Sequence, residues 1–137
     1  MKLEQQVTSL ELSKKLKELE VKQESLWYHI EWKIISSITS PIAHRTTRDS
    51  YKQLQEADYS AFTVAELGEM LPANRIGKKS NWECESWMTE TEQPVKIWEF
   101  SYGESGERSD FLVNENTEAN ARAKALIWFI ENDHIKV

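Results

Sequence analysis

The sequence predicts an α+β fold: one domain of 137 residues in which an antiparallel sheet of three to four strands, with a C-terminal meander, is flanked by N-terminal, short middle and C-terminal helices. Three observations support this prediction. Threonine-led capping patterns mark three helix starts, alternating apolar and polar residues mark strands, and the last strand segments follow one another across short turns. Strands that run together between helices are typical of an antiparallel α+β sheet.

The first segments predict a helix, a strand and a loop. A helix is expected over 8–20, because Thr8 can cap it, Glu11 can complete a capping box, and leucines recur at helical spacing. The segment LWYHIEWKII at 26–35 alternates between two sets of side chains and predicts one strand. Residues 36–56 are rich in serine and threonine, and we interpret them as a long loop.

The stretch ADYSAFTVAELGEMLP predicts a short helix over 63–71. Thr63 can cap it, Glu66 can complete the capping box, and Pro72 marks its end. Gly68 costs a helix about 1 kcal/mol relative to alanine, so close packing against a neighbour is expected there. We interpret this stretch as scaffold rather than a site.

The C-terminal half predicts a meander followed by a helix. Strands are expected at 80–90, 95–102 and 109–113, separated by turns, and Thr117 can cap a helix over 117–132. The apolar face of that helix predicts five core residues, which are Ala119, Ala123, Leu126, Ile127 and Ile130.

Three blocks carry a family resemblance: SLELSKKLKELEVKQES at 9–25, DYSAFTVAELGEMLP at 58–72 and NTEANARAKALIWFIENDHI at 116–135. The chain resembles a family of short hypothetical proteins of bacteriophages and prophages, similar in these blocks and variable in the middle. The resemblance implies an origin in a phage or mobile element and brings no activity with it. Relatives tend to have glycine where Glu20 stands, so the end of the first helix is expected to differ here.

Composition predicts a cytosolic protein. Hydrophobic residues make up 39% and charged residues 29%, which is typical of a globular chain. The first residues lack the apolar core of a signal peptide, and the single cysteine, Cys84, fits a reducing compartment.

Enzymatic motifs are absent from the sequence. The three histidines, His29, His44 and His134, are scattered, there is no G-x-S-x-G motif, and the four glycines form no phosphate loop. Metal sites need three or four closely spaced His or Cys ligands, so no metal and no cofactor is expected. Cys84 is expected to be a structural core residue between Trp82 and Met88 on one strand face. The sequence therefore predicts a protein without catalytic activity.

A binding surface is the leading functional hypothesis. Alternation puts Trp87 on the same face as Glu83 and Glu85, and puts Trp27 among the charged residues of its own strand. Tryptophans among charges are typical of protein-interaction surfaces, so these four residues are predicted to bind a protein partner or a second copy of the chain. The opposing interpretation, that helices cover this face and make both tryptophans core, stays open.

The alternative hypothesis is a nucleic-acid-associated or regulatory protein. The loop at 42–52 carries Arg45, Arg48 and Lys52, which supply local positive charge. The net charge of −6 is opposite to the usual balance of a nucleic-acid binder. Neither the helix predicted at 8–20 nor the one at 63–71 is followed by a basic recognition helix. Nucleic acid is therefore the less favoured partner.

Overall fold

The computed structural model describes residues 2–30, 33–36, 58–72, 81–103 and 111–135. Within these residues the chain forms three α-helices and two three-stranded antiparallel sheets, which confirms the predicted α+β class. In chain order the elements are α1 (Leu10–Glu18), β1 (Trp27–Ile30), β2 (Lys33–Ser36), β3 (Tyr59–Ser60), α2 (Val64–Met70), β4 (Asn81–Met88), β5 (Lys96–Gly103), β6 (Phe111–Glu115) and α3 (Glu118–Glu131).

The first sheet has the order β2-β1-β3 and corrects the prediction of one strand over 26–35. The segment folds as two paired strands, with Trp27 opposite Ser36 and Ile30 opposite Lys33. Residues 26–35 contain no glycine, proline, asparagine or aspartate to mark a turn, so the sequence pattern did not reveal the break between the two strands. The joining residues 31–32, and the predicted loop apart from Ser36, lie outside the described residues.

The second sheet has the order β4-β5-β6 and confirms the predicted meander. Phe100 on the central strand is paired with Cys84 on one side and Val113 on the other. Strand β6 runs from Phe111 to Glu115, so both of its ends lie two residues later than in the predicted strand at 109–113. The predicted turn GESGER falls almost entirely within 104–110, outside the described residues.

Helix α3 lies at the centre of the core. Ala119, Ala121, Ala123 and Ala125 are all fully buried, together with Leu126 and Phe129. A step of two residues turns about 200° around a helix, so these alanines occupy several sides of α3. The sheet, α1 and α2 all contact it, and the small side chains allow that close approach. The prediction of one apolar face was too narrow, because it left out Ala121, Ala125 and Phe129. Two of the residues it did include, Ile127 and Ile130, are only partly buried.

Helix α1 is capped by Ser9, so the predicted cap at Thr8 is wrong by one residue. The Thr8 hydroxyl instead accepts a hydrogen bond from the Phe62 amide (3.0 Å) and pairs with the Ser13 hydroxyl (2.7 Å). These tertiary bonds hold Thr8 outside the helix. The Ser9 hydroxyl then accepts from the Leu12 amide, while the Ser9 amide donates to Asn120 Oδ1 on α3.

Helix α1 ends in a left-handed residue that is not glycine. Glu20 has φ 64°, its amide donates to the Lys17 carbonyl, and the Val21 amide donates to the Leu16 carbonyl. This is a Schellman motif, which usually has glycine at this position. The expectation that the helix would end differently here for want of glycine is therefore wrong. Burial of Val21 against the core beside Leu16 fixes the turn.

Helix α2 confirms its predicted capping box. The Thr63 hydroxyl accepts from the Glu66 amide (3.2 Å) and the Glu66 carboxylate accepts from the Thr63 amide (2.7 Å). The same carboxylate also accepts from the Ser25 hydroxyl and the Leu26 amide, which ties β1 to α2. Gly68 packs as predicted: a Cβ built there would lie 2.5 Å from Arg122 Nη1 on α3.

Candidate functional site

The second sheet has one face against the core and one against solvent. Cys84, Phe100 and Val113 lie side by side on the inner face, where Phe100 is fully buried. Successive residues of a strand point to opposite faces, so their neighbours form the outer face. We call this outer face the acidic face; it is formed by Glu83, Glu85, Trp87, Ile97, Glu99, Ser101, Leu112 and Asn114.

The acidic face carries exposed apolar side chains. Trp87 is 41% exposed and lies opposite Ile97 on β5, and Leu112 on β6 is 53% exposed. Helix α3 packs on the inner face instead, where Phe129 meets Tyr102 with ring centroids 4.2 Å apart. No helix of the described residues covers the acidic face, so the alternative in which α3 buries Trp87 is wrong.

Three glutamates share the acidic face with these apolar side chains. Glu85 lies directly opposite Glu99, and Glu83 is two residues along the same strand face. Like charges placed opposite each other across two strands destabilise a sheet. None of the three carboxylates forms an ion pair with another residue in the described ranges. The face is therefore acidic without internal compensation.

The structure brings together three of the four predicted binding residues. Glu83, Glu85 and Trp87 share the acidic face, as alternation predicted. Trp27 belongs to the other sheet, is half-buried, and shares a cleft with Trp98 from the inner face. The expectation that Trp27 joins this surface is wrong, because it assumed that 26–35 formed part of one continuous sheet.

The basic residues of the alternative hypothesis, Arg45, Arg48 and Lys52, lie outside the described residues. The structure therefore leaves the nucleic-acid hypothesis a prediction.

Cys84 lies on the inner face and is half-buried. Burial, with a smaller contribution from the nearby Glu118 carboxylate, raises the pKa of its thiol to about 11, while Arg122 opposes the shift. The thiol is therefore protonated at neutral pH and is a poor nucleophile. Met88, expected to be buried beside it, is exposed at the end of the strand.

Two histidines have structural surroundings. His29 Nε2 lies 2.7 Å from the Thr8 carbonyl, and burial lowers the pKa of its imidazole while that hydrogen bond opposes the shift. His134 packs beside the rings of Trp128 and Phe129. No group of three His, Cys, Asp or Glu among the described residues is placed to hold a metal ion. Nor does any helix in those ranges have the length and apolarity needed to cross a bilayer.

A cleft of about 470 Å³ lies between the N-terminal segment and the second sheet. We call it the tryptophan cleft; its principal walls are Leu3, Val7, Trp27, Val64, Trp98 and Glu118. Sequence reasoning missed it, because it joins residues that are distant in the chain. The sequence offered only a weak signal for it. Trp98 shares the inner face of its strand with Lys96, a charged residue on a face that is otherwise aromatic.

Comparison of the chain with protein-family models, with curated proteins and with solved structures finds no match. The resemblance to the phage and prophage proteins is thus a prediction from the sequence blocks alone.

Proposed function

We propose that this protein is a non-enzymatic binding module that recognises a basic protein surface through the acidic face. The observation that supports this most is a sheet face that no described helix covers, where Trp87, Ile97 and Leu112 lie beside three glutamates that form no ion pair with the described residues. A part-exposed tryptophan beside charged and polar residues is a common composition of a protein-binding surface.

The apolar residues supply the area of the contact. A tryptophan side chain can bury roughly 150–250 Å² in an interface. Trp87 lies directly opposite Ile97 on the neighbouring strand, so the two apolar side chains can be covered by the same partner. Leu112 on β6, the other edge strand, supplies a second exposed apolar side chain, which the row of Glu85, Glu99 and Asn114 separates from Trp87.

The negative charge of the acidic face favours a positively charged partner. A two-fold dimer through this face would bring the three glutamates of one copy towards those of another, which disfavours self-association there. Nucleic acid is repelled for the same reason. A partner with lysine or arginine around an apolar patch would neutralise Glu83, Glu85 and Glu99 and cover Trp87.

The setting we propose is the cytosol of a bacterium that carries the phage or prophage. The sequence blocks support this origin, and a protonated, half-buried thiol suits a reducing compartment. The partner is then a protein of the phage or of its host.

Capture from bacterial lysate tests the proposal when paired with surface variants. Trp87→Ala and the triple variant Glu83→Gln/Glu85→Gln/Glu99→Gln should each lose the same captured proteins, and salt should weaken their capture. Leu26→Ala is the matched control, since Leu26 is also an exposed apolar residue but lies outside this sheet. Capture that is equal for all variants, or dimerisation lost with Trp87→Ala, would refute a basic partner at this face.

Unfolding of the variants must be measured alongside. Because Trp87 is part-exposed, Trp87→Ala should leave the denaturation midpoint nearly unchanged. A loss of roughly 3–5 kcal/mol, as for a buried tryptophan, would show that the residue is core and would contradict the proposal.

A further inference from the structure

We propose that the tryptophan cleft binds a small organic ammonium ion, such as a compound with a trimethylammonium group. The cleft is separate from the acidic face, because Trp98 points to the inner side of β5 while Ile97 and Glu99 point outwards. This proposal therefore stands or falls independently of partner binding.

The size and walls of the cleft suit a small ligand. Its volume of about 470 Å³ falls within the roughly 300–1,000 Å³ typical of ligand pockets. Two indole rings, from Trp27 and Trp98, form aromatic walls, and Leu3, Val7 and Val64 add aliphatic surface. Such walls favour a compact apolar body over a strongly hydrated one.

The charge of the cleft favours a cation. Glu118 is the one ionisable residue among the described residues that line it. Its partner Arg122 donates through Nε (3.1 Å) and Nη2 (2.6 Å) to the same oxygen, Oε1. Arg122 is not a lining residue: it is held against Gly68, and its Nη1 donates to the Val64 carbonyl. Of this ion pair, Glu118 is the member that lines the cleft, while Arg122 compensates part of its charge.

The Trp98 ring already makes a cation–π contact within the protein, so a ligand cation would bind this ring beside the Lys96 ammonium or in its place. Lys96 Nζ lies 4.8 Å from the centroid of the Trp98 ring, the geometry of a cation–π contact. The negative face of an indole attracts alkylammonium ions, most strongly where water is excluded. Two such rings beside a carboxylate are the groups that recognise quaternary ammonium ligands.

A neutral apolar ligand is the competing occupant, and one pair of probes separates the two. Choline and 3,3-dimethyl-1-butanol have nearly the same shape, but only choline carries the charge. Titrations of the whole protein would follow the indole N–H signals in NMR spectra, assigned with Trp27→Phe and Trp98→Phe. Choline should shift both signals saturably and bind about tenfold more tightly than the alcohol.

Variants locate the site. Glu118→Gln should weaken choline binding several-fold and bring it close to the affinity of the alcohol, and Trp98→Leu should abolish it. Trp87→Ala, on the acidic face, should leave it unchanged. Equal affinity of the wild-type protein for both probes, or no saturable shift with choline, would overturn the proposal without depending on how any variant folds.

Discussion

Replacing Glu20 with glycine should stabilise the protein, because the native backbone holds a glutamate in a conformation that suits glycine. Glu20 has φ 64° and sits between two hydrogen bonds that end α1, from its own amide to the Lys17 carbonyl and from the Val21 amide to the Leu16 carbonyl, each 3.0 Å long. Its side chain is exposed and forms no ion pair in the described parts of the chain, so the substitution removes little besides the Cβ.

The magnitude follows from two opposing terms. A residue with a Cβ pays roughly 1–2 kcal/mol in the left-handed region, and glycine releases that cost. Glycine also gives the unfolded chain more freedom, which costs roughly 0.4–1 kcal/mol on folding. The expected net gain in the free energy of unfolding is therefore about 0.5–1 kcal/mol, equivalent to a rise of roughly 2–4 °C in Tm for a chain of this size.

Chemical denaturation with two control variants tests this reasoning. Glu20→Ala removes the charge but keeps the Cβ, so it should gain nothing. Asp133→Gly changes the second left-handed residue, with φ 56° at the end of α3. It should gain less than Glu20→Gly, because aspartate tolerates this conformation better than glutamate. If Glu20→Ala were as stable as Glu20→Gly, charge rather than backbone strain would be the cause and the reasoning would fail.

Three further predictions concern helix caps, the thiol and pH. Thr63→Ala and Thr117→Ala should each lose about 1 kcal/mol of stability, and unchanged denaturant midpoints in both would contradict their role as caps. Cys84 in the native protein should react with a thiol reagent far more slowly than in the unfolded chain, since burial raises its pKa to about 11; rapid native labelling would count against this. The lowered pKa of His29 means that the unfolded chain binds a proton at a higher pH than the folded one. Its contribution to stability should be complete above about pH 6.5 and fall as the pH drops towards the folded pKa, and His29→Gln should flatten that part of the profile.

Local patterns predicted those parts of the fold that depend on neighbouring residues. The caps at Thr63 and Thr117 and the meander follow from short-range chemistry, and the structure has them as expected. Thr8 was misassigned because a hydrogen bond from the distant Phe62 amide decides its conformation. Glu20 was misjudged for the same kind of reason, since burial of Val21 outweighs the cost of the left-handed turn.

The same distinction between local pattern and long-range packing applies to the candidate site. Alternation within one strand correctly grouped Glu83, Glu85 and Trp87, because the period of a strand is local. The position of Trp27 depended on whether 26–35 was one strand or two and on which sheet it joined, and the segment has no turn residue that would have shown the break. The tryptophan cleft depends on packing between segments far apart in the chain, which no local pattern contains.

The cap of α1 also has a consequence for synthesis of the protein. The hydrogen bond from the Ser9 amide to Asn120 Oδ1 joins residues separated by 111 positions. During translation the N-terminal helix leaves the ribosome long before that partner exists. The meander, in contrast, pairs each strand with the next one along the chain and can form as soon as it emerges. Helix α1 thus leaves the ribosome before α2 and α3 but reaches its final contacts only after α3 has been made.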